Sequence, residues 1–93
     1  MIVAALRLQL YLPQCQTLKE KRMIVRALLE GIRAHFPAAT AEVGFTDLHQ
    51  RAEIGIAVVS GQRNQTEALL DHIERFVDAH LDGIVSERER FSF

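Results

Sequence analysis

From Ile2 to Leu12 the chain alternates: Ile2, Ala4, Leu6, Leu8, Leu10 and Leu12 share one parity, and Val3, Ala5, Arg7, Gln9 and Tyr11 share the other. Side chains of a strand change faces with a period of two, so this segment is predicted to be a strand with one dry face. A dry face needs an apolar cover, which restricts what the rest of the chain must supply. Pro13 ends the strand, because a proline nitrogen has no hydrogen to give to a ladder.

The cover comes with a change of period. Thr17 and Glu20 have the S/T-x-x-E spacing of a capping box, in which hydroxyl and carboxylate satisfy free amides at a helix start. Val25, Leu28, Leu29, Ile32 and Phe36 then follow as one helical stripe, and Pro37 stops the helix at or just before Phe36. Residues 40–45 and 52–60 are rich in apolar and β-branched types, and the turn-like TDLHQ between them predicts a hairpin. In its second strand Ile54, Ile56 and Val58 share one parity. Between Asn64 and Leu81 a second helical stripe runs through Leu69, Leu70, Ile73, Phe76, Val77 and Leu81, with Gly83 placed for a left-handed C-terminal cap. The last stretch, IVSERERFSF, reads as a strand of weak register.

The order βαββαβ is satisfied by a four-stranded antiparallel sheet with both helices on one face, since that buries both stripes and keeps each crossover right-handed. The predicted class is α+β, a ferredoxin-like domain. Ninety-three residues, 48% of them hydrophobic, suffice for one core, so a single domain over residues 1–93 is expected. Every apolar run falls far short of the roughly 20 residues of a membrane span, and no basic-then-apolar leader precedes the first strand, so no membrane partner is expected and a cytoplasmic protein is. The single cysteine, Cys15, has no partner for an internal disulfide and reads as a loop residue of no catalytic consequence.

The net charge of −1 hides an asymmetry. Residues 1–36 carry six Lys/Arg against Glu20 and Glu30, a balance of +4, and the remaining residues carry five Arg against ten Asp/Glu, a balance of −5. Such polarity steers a polyanion to one end of a protein whose mean charge would repel it.

Three strings carry a resemblance: TLKEKR at 17–22, AEVG at 41–44 and DLHQRAEIGIAVVS at 47–60. In this order and spacing they resemble the YlxP-like family of small bacterial proteins. The resemblance implies a ferredoxin-like domain of unassigned biochemical function whose genes commonly sit among translation and ribosome-maturation genes, hence an RNA or ribosome partner. His49 departs from it, standing where a larger aromatic is expected.

Lys19, Lys21 and Arg22 crowd the first helical turn, an end already positive from free amides and aligned peptide dipoles. Each cation there is unfavourable by roughly 0.3–1 kcal/mol unless something offsets it, and a bound phosphate is a natural offset. Lys19, Lys21, Arg22 and Arg26 are therefore the expected anion or RNA contacts. The competing reading makes them a solvated polar face or pairs them with Glu67, Asp71, Glu74, Asp78 and Asp82 of the second helix.

The open sheet face is expected to show Val3, Ala5, Gly55, Ala57 and Val59, which offer no central aromatics for stacking bases; Tyr11 alone, at a strand end, is suited to it. The same small-residue face suits packing against a second copy, giving a homodimeric ligand-sensing or scaffold domain as the alternative.

The hairpin turn gathers Asp47, His49, Gln50 and Arg51, with Glu42 on the preceding strand. A structural role, with Arg51 paired across to Glu42, is expected there rather than acid–base catalysis. No metal or cofactor is expected: His72 and His80 are eight residues apart on one helix, about 12 Å along its axis. An acylphosphatase-type enzyme shares the architecture, but PQCQ stands where its phosphate-cradling loop carries glycine and arginine, so a non-enzymatic protein is expected.

Overall fold

The computed structural model describes residues 1–93. Six elements follow in the expected order: β1 (Ile2–Tyr11), α1 (Leu18–His35), β2 (Ala39–Gly44), β3 (Arg51–Ser60), α2 (Arg63–His80) and β4 (Ile84–Ser92). They form one antiparallel sheet in the order β2-β3-β1-β4, with β1 and β3 at its centre.

The even-numbered residues of β1 lie on the covered face, where Ala4, Leu6, Leu8, Leu10 and Leu12 are buried. They meet Ala52, Ile54, Ile56 and Val58 of β3, Val25, Leu28, Leu29 and Ile32 of α1, and Leu70, Ile73 and Val77 of α2 in one cluster. Each of these elements is thus held mainly by burial of its own stripe, at about 1.5–3 kcal/mol per large aliphatic side chain before entropy is counted. The core also takes Cys15, which lies in the loop between β1 and α1 as expected and is fully buried there. Burial pushes its thiol up, and the nearby Glu20 and Asp82 push the same way, so it is held as a neutral packing group.

The helix boundaries have local causes. Thr17 caps α1 by accepting from the Glu20 amide at 3.1 Å, and the Glu20 carboxylate reaches back to the amide of Gln16 at 3.4 Å. Phe36 is extended, as a residue before proline must be, and its amide closes the last turn on the Ile32 carbonyl. At the end of α2 the expectation of a left-handed glycine fails: no glycine has positive φ, and the chain leaves through an extended Leu81. Gly83 serves close approach instead. A Cβ there would overlap the Leu12 side chain and stand 2.8 Å from the Tyr11 carbonyl oxygen. The C-terminal strand is the second edge of the sheet, registered on β1 with an irregularity at Gln9/Leu10.

Candidate nucleic-acid interface

Of the four expected contacts, Lys21 is not one. Its side chain is fully buried, with Nζ 3.0 Å from Glu42 Oε2. It donates to the carbonyls of Phe45 at 2.9 Å, Thr46 at 3.3 Å and Arg51 at 3.3 Å. Three ammonium protons on three carbonyls leave the carboxylate a Coulombic neighbour without an aligned hydrogen bond. The physical reason lies in phase: Lys21 stands four residues before Val25 and shares the buried stripe, so its stem follows the core and its head meets the chain reversal between β2 and β3. The residue binds α1 to the hairpin turn. It also removes Glu42 from the expected pair with Arg51, which lies over the Phe45 ring at 4.2 Å and donates to Gln9 Oε1 at 3.3 Å.

Lys19, Arg22 and Arg26 stay exposed and form no ion pair. Arg33, absent from the expected set, joins them. Positions 19, 22, 26 and 33 recur on one helical face over about 21 Å of axis. Arg22, Arg26 and Arg33 line a shallow groove of about 260 Å³ with Val25, Leu29 and Glu42, beside the edge strand β2, where Arg33 also donates to the Thr40 hydroxyl.

The acidic face of α2 does not neutralise this flank, because it is engaged by β4. Arg88 bonds Glu74 at 2.8 Å and Asp78 at 2.7 Å, and Arg90 bonds Glu67 at 2.8 Å, Asp71 at 2.7 Å and Glu74. Alternation along β4 aims both arginines at α2, and the i, i+4, i+7, i+11 acids of α2 meet them. Burial raises the Glu74 carboxyl, but its bonds to Arg88 and Arg90 prevail and hold it below the ordinary carboxylate range.

The open sheet face divides in two. Arg7 joins Glu53 at 2.9 Å, Glu89 at 2.7 Å and Glu87 at 3.3 Å; the bonds to Glu89 and Glu53 raise its pKa. Beyond them lies an apolar trough of about 380 Å³ over Ala5, Ala41, Gly55 and Ala57, rimmed by Val43 and Phe91. The rim comes from the two edge strands and was not among the residues expected there. At the hairpin turn the titratable groups do not converge: Gln50 donates to the carbonyls of Pro13 at 3.2 Å and Cys15 at 3.3 Å, and Glu42 faces Lys21. No three His, Cys, Asp or Glu side chains gather where they could hold one metal ion. No helix is long and apolar enough to cross a membrane.

A four-stranded antiparallel sheet in this order with two helices on one face defines a ferredoxin-like α+β domain. The chain belongs to the family described as "Protein of unknown function (DUF503)", which matches residues 3–90. It is 38% identical over 63 residues to the uncharacterized protein YlxP of Bacillus subtilis, covering 68% of each chain. Among solved structures it is similar to a REP-associated tyrosine transposase bound to a REP hairpin, at TM-score 0.52 and 12% identity, covering 98% of this chain and 55% of that one. It is also similar to a dimeric ferredoxin-like protein of unknown function from Thermobifida fusca, at TM-score 0.49 and 13% identity, covering 98% of this chain and 90% of that one.

Proposed function

We propose that this protein is a non-enzymatic binding module that holds RNA, free or within the ribosome, by its phosphate backbone along Lys19, Arg22, Arg26 and Arg33. One observation carries the reading: after Arg7, Lys21, Arg88 and Arg90 have taken carboxylate partners, the cations on this flank of α1 remain exposed and form no ion pair, although Glu42 lines the same groove. Unpaired like charges on one face repel one another, and a polyanion relieves that repulsion while releasing its own counterions. A REP-associated tyrosine transposase, about half of whose length shares this fold, is bound to a REP hairpin, the likeness being one of fold alone. Backbone contact of this kind is salt-sensitive and reads little sequence.

The test is RNA retention across a salt titration. Lys19→Glu with Arg22→Glu is expected to weaken binding strongly at low salt and to flatten the dependence of log K on log salt by about 0.7–0.9 per contact removed. An unchanged slope overturns the reading.

A second reading rests on the apolar trough. Small residues rimmed by Val43 and Phe91 form a contiguous dry patch suited to a second copy of this chain, making the protein a homodimeric ligand-sensing or scaffold domain. Sedimentation equilibrium is expected to give a dimer that Ala57→Arg dissociates; a wild-type monomer at micromolar concentration removes this alternative.

A further inference from the structure

At the end of the molecule where α1 begins, the sheet closes in a small corner that the phosphate-binding reading does not use. Tyr11 and Arg51 are register partners on the open face, and with Leu48, His49 and Gln50 of the turn they line a cavity of about 250 Å³. Tyr11 at the end of β1 is 41% exposed and Leu48 of the turn 46% exposed, so the Tyr11 ring and the Leu48 side chain are open to a guest. The corner is also firmly built. Lys21 ties down the carbonyls of Phe45, Thr46 and Arg51, and Gln50 ties the turn to Pro13 and Cys15. Phe45 adopts φ 55, a left-handed conformation that an aromatic residue takes only when its surroundings compel it. The Arg51 guanidinium lies over the Phe45 ring at 4.2 Å and donates to Gln9 Oε1 at 3.3 Å, which fixes its position.

We propose that this corner is a binding site for one unpaired nucleobase of a single-stranded RNA segment, stacked on Tyr11 and the Arg51 plane; the inference rests on the RNA reading above. The chemistry is that of a planar heteroaromatic guest. A phenol ring and a guanidinium each stack on a base, and the imidazole of His49 and the free oxygen of the Gln50 amide stand at the rim as hydrogen-bonding groups. The volume lies below the roughly 300–1,000 Å³ of drug-sized pockets, the scale of a single ring system. A paired base shows only its edges, so the site selects an unpaired or extruded one. The placement also suits a strand. Lys21 links the turn at this corner to α1, whose Lys19 and Arg22 begin the cationic flank, so a strand leaving the open face around this end of the sheet meets that helix.

The experiment titrates the full chain with an end-labelled single-stranded decaribonucleotide, a strand of equal length lacking every base, and the corresponding duplex. The intact single strand is expected to bind about tenfold more tightly than the base-free strand. Tyr11→Ala is expected to abolish that difference and Tyr11→Phe to preserve it. Adenosine monophosphate at matched nucleotide concentration is expected to displace little; complete displacement identifies a free nucleotide as the guest and overturns the assignment to a strand. Equal affinity for intact and base-free strands overturns the corner while leaving the cationic flank standing, whereas no binding of any strand at low salt overturns both. The base-free strand tests the site on unmodified protein should Tyr11→Ala fail to fold.

Discussion

Lys21 Nζ lies 3.0 Å from Glu42 Oε2, with the lysine side chain wholly buried and the glutamate 21% exposed. An ammonium taken out of water must have its protons and its charge answered, and here three carbonyls and one carboxylate answer them. Lys21→Met leaves those acceptors without a donor and the carboxylate without a counter-charge, so it is expected to destabilise the fold by about 3–5 kcal/mol in urea denaturation. Glu42→Gln keeps the carbonyl bonds but leaves the buried ammonium without a counter-charge, and is expected to cost about 3 kcal/mol, the lower end of the range for a broken buried pair. Equal stability of Lys21→Met and wild type contradicts the role assigned to this lysine.

Glu74 answers a different pair of cations, and its effect is read in acid. Its carboxyl titrates below the ordinary value in the folded protein because its bonds to Arg88 and Arg90 outweigh burial. A depressed folded pKa contributes stability that is present above the unfolded value of about 4.3 and is lost as pH falls through the folded one. Glu74→Gln is expected to lower stability at pH 7 and to flatten its decline below about pH 4, measured as urea midpoints across that range. Parallel acid limbs for variant and wild type count against the interaction.

Gly83 and Gly61 make a controlled pair, since neither has positive φ. A Cβ on Gly83 meets the Leu12 side chain and the Tyr11 backbone, whereas a Cβ on Gly61 meets nothing within 4 Å. Gly83→Ala is expected to cost about 1–3 kcal/mol from overpacking. Gly61→Ala is expected to be neutral or to stabilise by about 0.4–1 kcal/mol through the unfolded chain. Thermal midpoints that move together would refute this distinction.

These cases mark where the amino-acid sequence speaks and where it stops. Alternation in β1 and β3 and the stripes of both helices announced the topology because burial acts on periodicity, which a single chain displays. For Lys21 charge and phase point opposite ways, and phase prevails: the four-residue step to Val25 places it on the buried stripe and is the signal the sequence carries. Arg33 lies beyond the first turn, where no dipole argument marks a cation, and only its spacing shows that it continues the face of Lys19, Arg22 and Arg26. The engagement of α2 by Arg88 and Arg90 required knowing which face of β4 meets which helix, a tertiary fact beyond local pattern.

Cys15 offers a chemical probe of the core. A thiol that is fully buried and pushed up by that burial is poorly accessible and scarcely ionised at neutral pH. Labelling with a disulfide reagent is expected to be slow in the native protein and rapid in denaturant, with Lys21→Met accelerating it through more frequent opening. Immediate stoichiometric labelling of the native chain would place the thiol at the surface.

The corrected cationic face makes its own prediction, because Arg33 and Lys21 exchange roles relative to what spacing in the first turn suggested. Arg33 lies at the far end of the flank, exposed and in no ion pair, so Arg33→Glu is expected to weaken RNA retention about as much as Arg22→Glu while leaving the unfolding free energy from urea denaturation within about 0.5 kcal/mol of wild type. Lys21→Met is expected to behave in the opposite way, lowering stability while the folded fraction retains RNA with an unchanged salt slope, since a buried ammonium touches no phosphate. Filter binding and denaturation on the same preparations separate the two effects. A salt slope that falls for Lys21→Met and stays fixed for Arg33→Glu would return the contact surface to the first turn and detach it from the groove beside β2.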